Sequence, residues 1–303
     1  MSATDDKQDV YSFRAAPVVH GASRDALSHV RAVVEAELDA VTDNPLLFAL
    51  ECDDEPLDLQ EFAENPARHG REPERNRAYS AGNFHGQPVA IASDILAIAV
   101  AELASCSERR MAILLDPVSN RGLPAHLSPR PGLSSGFMLS QYAAASLVSE
   151  NKVLAHPASV YSIPTGNGAE DHVSMSTWAA RKARQVVELS AHVLALELLV
   201  AAQANEWRCL LGDPSVAARA PSLAADPGLP ERFAALAEKA VSDELGEGSA
   251  AGYQEVRRVS ARVVLDRSLS SDVERVCEAI IAGRFVEVTG DHTLPARRSR
   301  FEA

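Results

Sequence analysis

The chain has few cysteines and none of them are close together: Cys52, Cys106, Cys209 and Cys277 form no Cys-x-x-Cys pair. That spacing excludes a zinc knuckle and a disulfide framework, and it fits a reducing compartment such as the cytoplasm. Positive charge is also scarce. With 29 Lys+Arg against 42 Asp+Glu the formal net charge is -13, so there is no basic footprint for a phosphate backbone and nucleic acid is not an expected partner. The opening MSATDDKQDV has acids where a signal peptide needs a cationic and then an apolar stretch, so no export signal is expected. The longest apolar run, Ile95–Ala101, is bounded by Asp94 and Glu102, and no membrane span is expected from it. Gly-rich phosphate loops, a serine nucleophile elbow and His-Glu-x-x-His are all absent, which removes the common nucleotide, hydrolase and zinc-protease readings and leaves no expected metal. Internal repeats and low-complexity tracts are absent as well.

What is present is a globular composition, 46% hydrophobic and 23% charged over 303 residues, enough for one large or two moderate domains. Ala, Leu, Glu and Arg dominate while Gly and Pro gather in a few places, so the chain reads as helical nearly throughout. Four long segments are predicted. Ser23–Val41 opens at a Ser23 cap and ends at Asp43-Asn44-Pro45, because a residue before proline is driven out of the helical region. Pro88–Leu115 stops before Asp116-Pro117, and Ser135–Leu154 breaks at His156-Pro157. Val173–Leu211 carries HVLALELLVAAQA, whose apolar width demands burial on most sides. Segments of roughly 20 to 35 residues exceed the usual helix and predict an all-α, long-helix bundle. After Gly212 the sequence turns to a Pro/Ala/Asp-rich connection and shorter amphipathic helices at 230–243, 252–263 and 270–283. The division is a bundle half over residues 1–211 and a smaller C-terminal helical lobe and tail over 212–303, the last stretch, GDHTLPARRSRFEA, reading as loose.

Three places carry candidate chemistry. Gln8, Tyr11 and Arg14 recur every third residue and share one side of a helical turn, putting a phenol beside a guanidinium. A nearby cation favours phenolate, and the guanidinium offers a fork to a carboxylate; the bland alternative is a tyrosine packed on a surface arginine. Asn83-Phe84-His85 lies between Gly82 and Gly86 just before a long helix, where an amide and an imidazole can reach a cavity, or where Asn83 is a local cap and His85 a structural hydrogen-bonding residue. Glu170-Asp171-His172 follows a Gly-rich loop at the start of the fourth predicted helix, where acids are favoured by the helix dipole alone.

These residues sit inside longer strings: QDVYSFR at 8–14, VTDNPLLF at 41–48, SAGNFHGQPVA from Ser80, SERRMAILLD from Ser107, SGFMLSQYAAASLVSENK from Ser135, then LAHPASV and AEDHVSM. Together they closely resemble the histidine and aromatic amino-acid ammonia-lyase family, strongly over residues 8–210 and more loosely over 255–283. The resemblance implies a homotetrameric helical core with each active site built from several subunits. It also implies elimination of ammonia from an α-amino acid by an autocatalytic 4-methylidene-imidazole-5-one (MIO) electrophile, without an essential metal. On the matching positions it implies a catalytic Tyr11, a carboxylate-binding Arg14 with Gln8 beside it, and Phe84 with Asn83 and His85 packed at the electrophile. Glu170 falls where histidine ammonia-lyases carry a glutamate and plant-type phenylalanine lyases an amide; a buried carboxylate facing an imidazole would explain that preference.

The sequence departs from the family in two ways. Tyr161 stands where the family has Asp and Gly166-Asn167-Gly168-Ala169 where it has Ser-Ala-Asn-Gln, beside the proposed substrate-side carboxylate; Ser134 replaces a usual Asn. More consequentially, the Ala-Ser-Gly that cyclises to MIO occurs nowhere in the 303 residues. With Met1 just upstream of the Tyr/Arg loop, the chain reads as the second half of a lyase. The expectation is one subunit of a split enzyme: an N-terminal-half partner carries Ala-Ser-Gly and supplies MIO, the two forming a hetero-oligomer on a tetrameric core. The alternatives are a non-catalytic paralogue acting as scaffold or regulator, and a subunit of a related 2,3-aminomutase.

Overall fold

The computed structural model describes residues 8–49, 76–212, 233 and 245–289. Its elements are α1 (Tyr11–Arg14), α2 (Ala16–Leu38), β1 (Leu46–Ala49), β2 (Asn76–Tyr79), α3 (Gln87–Leu115), α4 (Met138–Leu154), α5 (Ser176–Gly212), α6 (Glu247–Val259), α7 (Ser270–Ile281) and α8 (Arg284–Thr289). The fold is the expected all-α bundle. The two short strands pair antiparallel, Leu46 opposite Tyr79, as a ribbon that the helical reading had not included.

The helices begin and end for identifiable reasons. α3 stops at Leu115 because Asp116 turns the chain: its carboxylate accepts Val118 N–H at 3.1 Å and Ser119 Oγ–H at 2.7 Å. These bonds to the charged form, the Ser119 one first, hold the Asp116 carboxyl below its ordinary range. α2 corrects the sequence reading. Ser23 is not a cap but a buried mid-helix residue whose hydroxyl donates to Ala99 O at 3.3 Å. The helix starts earlier, at Ala16, with Pro17 in its first turn, where a missing N–H costs nothing. α5 starts at Ser176 rather than Val173, because Met175 takes a left-handed φ of 55° and Ser174 Oγ accepts Ser176 N–H at 3.3 Å. Glu170 and Asp171 therefore precede the helix by a full loop, and the dipole explanation of them falls.

Cα packing divides the chain into two compact units. The first combines the described residues of Met1–Ser23, Ile98–Ala155 and Arg184–Ala303; the second combines those of Arg24–Ala97 and His156–Ala183. The first unit holds a large apolar core including Met111, Leu127, Phe137, Val193, Leu199, Val200 and Trp207, so the HVLALELLVAAQA stretch is buried as its width required. Trp207 donates its indole N–H to Leu127 O at 2.9 Å and meets the Phe233 ring at 4.8 Å.

In the same unit α6 runs over 247–259, not 252–263. The segment after it is extended because buried Gln203 on α5 takes both backbone groups of Val263, donating to its O at 3.0 Å and accepting from its N at 3.3 Å. One turn on, the fully buried Glu206 carboxylate accepts Tyr253 Oη–H at 2.6 Å and pairs with Arg257 at 2.7 Å and Arg262 at 2.9 Å. A buried charge without such partners costs several kcal/mol. α7 falls within the expected 270–283; the expected helix at 230–243 lies outside the described residues except for Phe233, which is helical and buried, and the tail at 290–303 lies outside them entirely.

α3 and α5 are each long and apolar enough to cross a membrane by length and composition, but about half of each apolar window, 44% and 50%, is buried inside the protein. Both also carry buried charges, Asp94 and Glu108 on α3 and Lys182 and Glu206 on α5, as bundle core helices do.

Candidate active site

The first group of candidate residues is a single turn. Phe13 and Arg14 N–H both bond Val10 O at 3.1 Å, closing α1 and stacking the i and i+3 side chains. The Arg14 guanidinium carbon lies 5.3 Å from the Tyr11 ring centroid, and the same guanidinium donates to Gln8 Oε1. Gln8, Tyr11 and Arg14 are thus brought together, with Tyr11 75% exposed and Arg14 also open. The tyrosine packs on the arginine, as the bland reading has it, and the side chain stays exposed.

Below the turn lies an anchor that spacing alone could not reveal. Ser12 O receives Arg110 Nη1 and Cys106 Sγ, each at 3.5 Å, from α3. Arg110 is clamped to Glu197 of α5 through both Nε and Nη2, the latter at 2.8 Å, and Ser107 Oγ donates to the same carboxylate at 2.6 Å. Burial works against the Arg110 charge, yet the Glu197 carboxylate more than offsets it and holds the guanidinium above its ordinary value. The available signal was charge inside an apolar run, Glu197 within HVLALELL and Arg110 within SERRMAILL. The half-exposed Asp9–Arg121 pair at 2.7 Å adds little, about 0–1 kcal/mol.

The second group is in the other unit. His85 N–H bonds Gly82 O at 3.0 Å and closes a tight turn that leaves Asn83 exposed and Phe84 56% exposed. Gly86 lies close against the start of α5: a Cβ there would stand 2.6 Å from Ser176 Oγ and 3.1 Å from Ser174 Oγ. His85 Nε2 bonds His172 O at 3.0 Å, so that nitrogen is the donor, and the two imidazoles stack at 5.5 Å and 4°. The structural role considered for His85 is therefore present. Gln87 donates Nε2 to Ser159 O at 3.3 Å, while its buried Oε1 has no partner among the described residues.

The loop preceding α5 is fastened at both ends. Buried Asp94 accepts Ser159 N–H at 2.7 Å and Lys182 Nζ at 3.2 Å, and Lys182 also donates to His156 O. Burial raises the Asp94 carboxyl, but bonds from the Ser159 and Ala158 backbone and from Lys182 outweigh it and leave it below its ordinary value. Tyr161, where the family has Asp, bonds His156 Nε2 through its hydroxyl at 2.7 Å. Ser162 Oγ accepts Val173 N–H at 2.8 Å. Between them Glu170 folds onto Thr165, whose Oγ1 donates to Glu170 Oε2 at 2.6 Å. Gln8, Tyr11 and Arg14 thus belong to one compact unit and Asn83, Phe84, His85 and Glu170 to the other. Among the described residues no group of three His, Cys, Asp or Glu side chains could hold a metal ion.

Comparison with known proteins adds independent observations. The sequence model of the family described as aromatic amino acid lyase matches residues 1–223. The histidine ammonia-lyase of Symbiobacterium thermophilum is 45% identical over 279 residues, 92% of this chain and 44% of that protein. That of Treponema denticola is 52% identical over 203 residues, 67% of this chain and 35% of that protein. Among solved structures, histidine ammonia-lyase from Trypanosoma cruzi superposes with a TM-score of 0.71 at 34% identity, covering 94% of this chain and 45% of that one. Tyrosine aminomutase from Streptomyces globisporus gives 0.71 at 32%, covering 98% and 46%. The chain therefore spans less than half the length of these relatives.

Proposed function

Because the chain belongs to the aromatic amino acid lyase family, we propose that it carries the tyrosine, arginine and glutamate side of an ammonia-lyase centre of the histidine ammonia-lyase kind. The electrophile side is an Ala-Ser-Gly segment outside these 303 residues, supplied in this reading by a partner chain. The observation that carries the proposal is the Gln8–Tyr11–Arg14 group, a phenol and a guanidinium held together on an anchored turn with both functional ends open.

The family is in general MIO-dependent, and two features of the 82–87 turn fit that group: an aromatic ring presented to the outside at Phe84 and the exposed Asn83 amide, whose N–H groups can donate to a ring carbonyl. Asn83 and Phe84 would hold it, with His85 fixing the turn. When bound there, MIO supplies an electrophile for the substrate's amine. Arg14 grips the substrate carboxylate: Gln8 occupies one of its five N–H donors and orients the fork, leaving the others for the ligand. Tyr11 Oη takes the β-proton, and fixing the carboxylate makes proton removal and amine departure share one geometry. Glu170 faces the substrate side chain. The two chains assemble as halves of one bundle, in a cytoplasmic hetero-oligomer on a tetrameric lyase core. Exposed apolar residues along the long helices, among them Ile91 and Ile98 on α3 and Leu139 and Tyr142 on α4, support such an assembly.

A second reading, a non-catalytic scaffold, is favoured by the His156–Tyr161 pair and the rewritten 166–169 loop. The likeness to tyrosine aminomutase favours a 2,3-aminomutase instead, which differs in product. All three separate in one experiment: co-express the chain with an Ala-Ser-Gly half, purify through a tag on this chain, and assay histidine, phenylalanine and tyrosine for ammonia, unsaturated acid and β-amino acid. The expected result is co-purification with ammonia and unsaturated acid from histidine. β-Amino acid without ammonia would establish the aminomutase. A soluble chain that captures no partner and releases no ammonia would leave the scaffold.

A further inference from the structure

Residues 165–170 form a closed ring around the Glu170 carboxylate. Thr165 N–H bonds Glu170 O at 3.0 Å and Glu170 N–H bonds Thr165 O at 3.4 Å, an isolated antiparallel bridge. Inside it Gly168 N–H returns to Thr165 O at 3.0 Å and Ala169 N–H to Gly166 O at 3.1 Å. The side chain uses two features of this ring that are independent of each other. One is the Thr165 hydroxyl, 2.6 Å from Oε2, a length typical of a hydrogen bond to a carboxylate. The other is the missing Cβ of Gly166: at φ +56°, a Cβ there would stand 2.6 Å from Oε2 and 3.0 Å from Cδ. Oε2 is thereby tied while the Glu170 side chain stays exposed to solvent, with Oε1 open to a ligand.

We propose that Thr165 and Gly166 are positioning residues for Glu170, presenting one free carboxylate oxygen and so selecting amino acids whose side chain offers an N–H donor or a cation over those with a hydrocarbon ring. This rests on the reading of Glu170 as the substrate-side carboxylate. A hydroxyl bonded to a carboxylate fixes its direction, and the free oxygen then discriminates by whether it finds a donor or is left desolvated without one.

The test has two arms on the full chain. In the first, the chain is labelled with side-chain carboxyl 13C-glutamate and the Glu170 signal is assigned by its loss in Glu170→Gln. Thr165→Val and Gly166→Ala should each move that signal, and Thr165→Ser should return it to its original position. In the second, the chain is assembled with its Ala-Ser-Gly half. Thr165→Val should then lower the ratio of kcat/KM for histidine to that for phenylalanine about tenfold, through KM for histidine, with Thr165→Ser restoring it. An unmoved carboxyl signal would overturn the positioning. A moved signal with an unchanged substrate ratio would overturn the selectivity. A wild-type assembly without turnover would instead sink the reading of the site and the selectivity with it, while a signal moving as expected would still establish the positioning.

Discussion

The two compact units are held together by different means. The first buries Met111, Leu127, Phe137, Leu199 and Val200, large side chains that each contribute about 1.5–3 kcal/mol on burial. Among the described residues the second buries smaller side chains, a cluster of Ala90, Ala158 and Ala179 with Val30 and Leu46 besides, which removes less apolar surface from water. It also carries a buried polar clamp: Asp94 and Lys182, with side chains 5% exposed, and the Ser159 and His156 backbone they hold. Asn83, Phe84, His85 and Glu170 are all carried by this unit, whereas the Tyr11 turn hangs on the first through the Arg110–Glu197 ion pair. The second unit is therefore expected to respond most to loss of the Asp94–Lys182 pair, and the first to truncation of its core.

That contrast can be broken from either side, because the chain's two tryptophans report separately, Trp178 in the second unit and Trp207 in the first. The largest effect is expected from Lys182→Met. Leaving Asp94 buried without its cation costs about 3–5 kcal/mol, and the Trp178 transition should move to lower denaturant with Trp207 moving far less. Leu199→Ala should do the reverse, a core truncation of about 2–5 kcal/mol read by Trp207.

Acid should separate them next. The folded Asp94 carboxyl lies below its unfolded value of about 3.9, so its contribution is complete above that pH and is lost as pH falls from there through the folded value. The Trp178 midpoint should drop below about pH 4, and Asp94→Asn, already destabilised, should flatten that dependence. Asp272, held low against its own burial by Arg267 and Arg275, gives the first unit an acid-sensitive point too, which Asp94→Asn leaves in place. The smallest expected effect is Gly86→Ala, about 1 kcal/mol: Ser176 Oγ can rotate away from the new Cβ, while Ser176 Cβ at 3.0 Å and Ser174 Oγ at 3.1 Å must each yield slightly.

The bundle was legible in the sequence because apolar width and proline positions mark long helices, and the α3 and α4 ends fall within three residues of the expected ones. Ser23 was misread because a serine near the start of an amphipathic run is as good a cap as a buried mid-helix hydroxyl; only Ala99, 76 residues away, decides between them. The 260–263 segment kept its helical pattern in sequence while Gln203 on a distant helix claimed its backbone. In the candidate site, local groupings were readable, as in the Tyr11–Arg14 turn. The Arg110–Glu197 clamp, 87 residues apart, and the return of Glu170 onto Thr165 were not, since both depend on tertiary position or on a left-handed glycine.

The central claim is that the Tyr11 turn is catalytic rather than a surface ornament. Its most direct test is Tyr11→Phe in the chain assembled with an Ala-Ser-Gly half, comparing turnover with assembly in the same preparation. The hydroxyl is exposed and no packing depends on it, so the account predicts that ammonia release is abolished while the complex forms as before. Unchanged turnover in an intact complex would contradict it and remove Tyr11 from the mechanism.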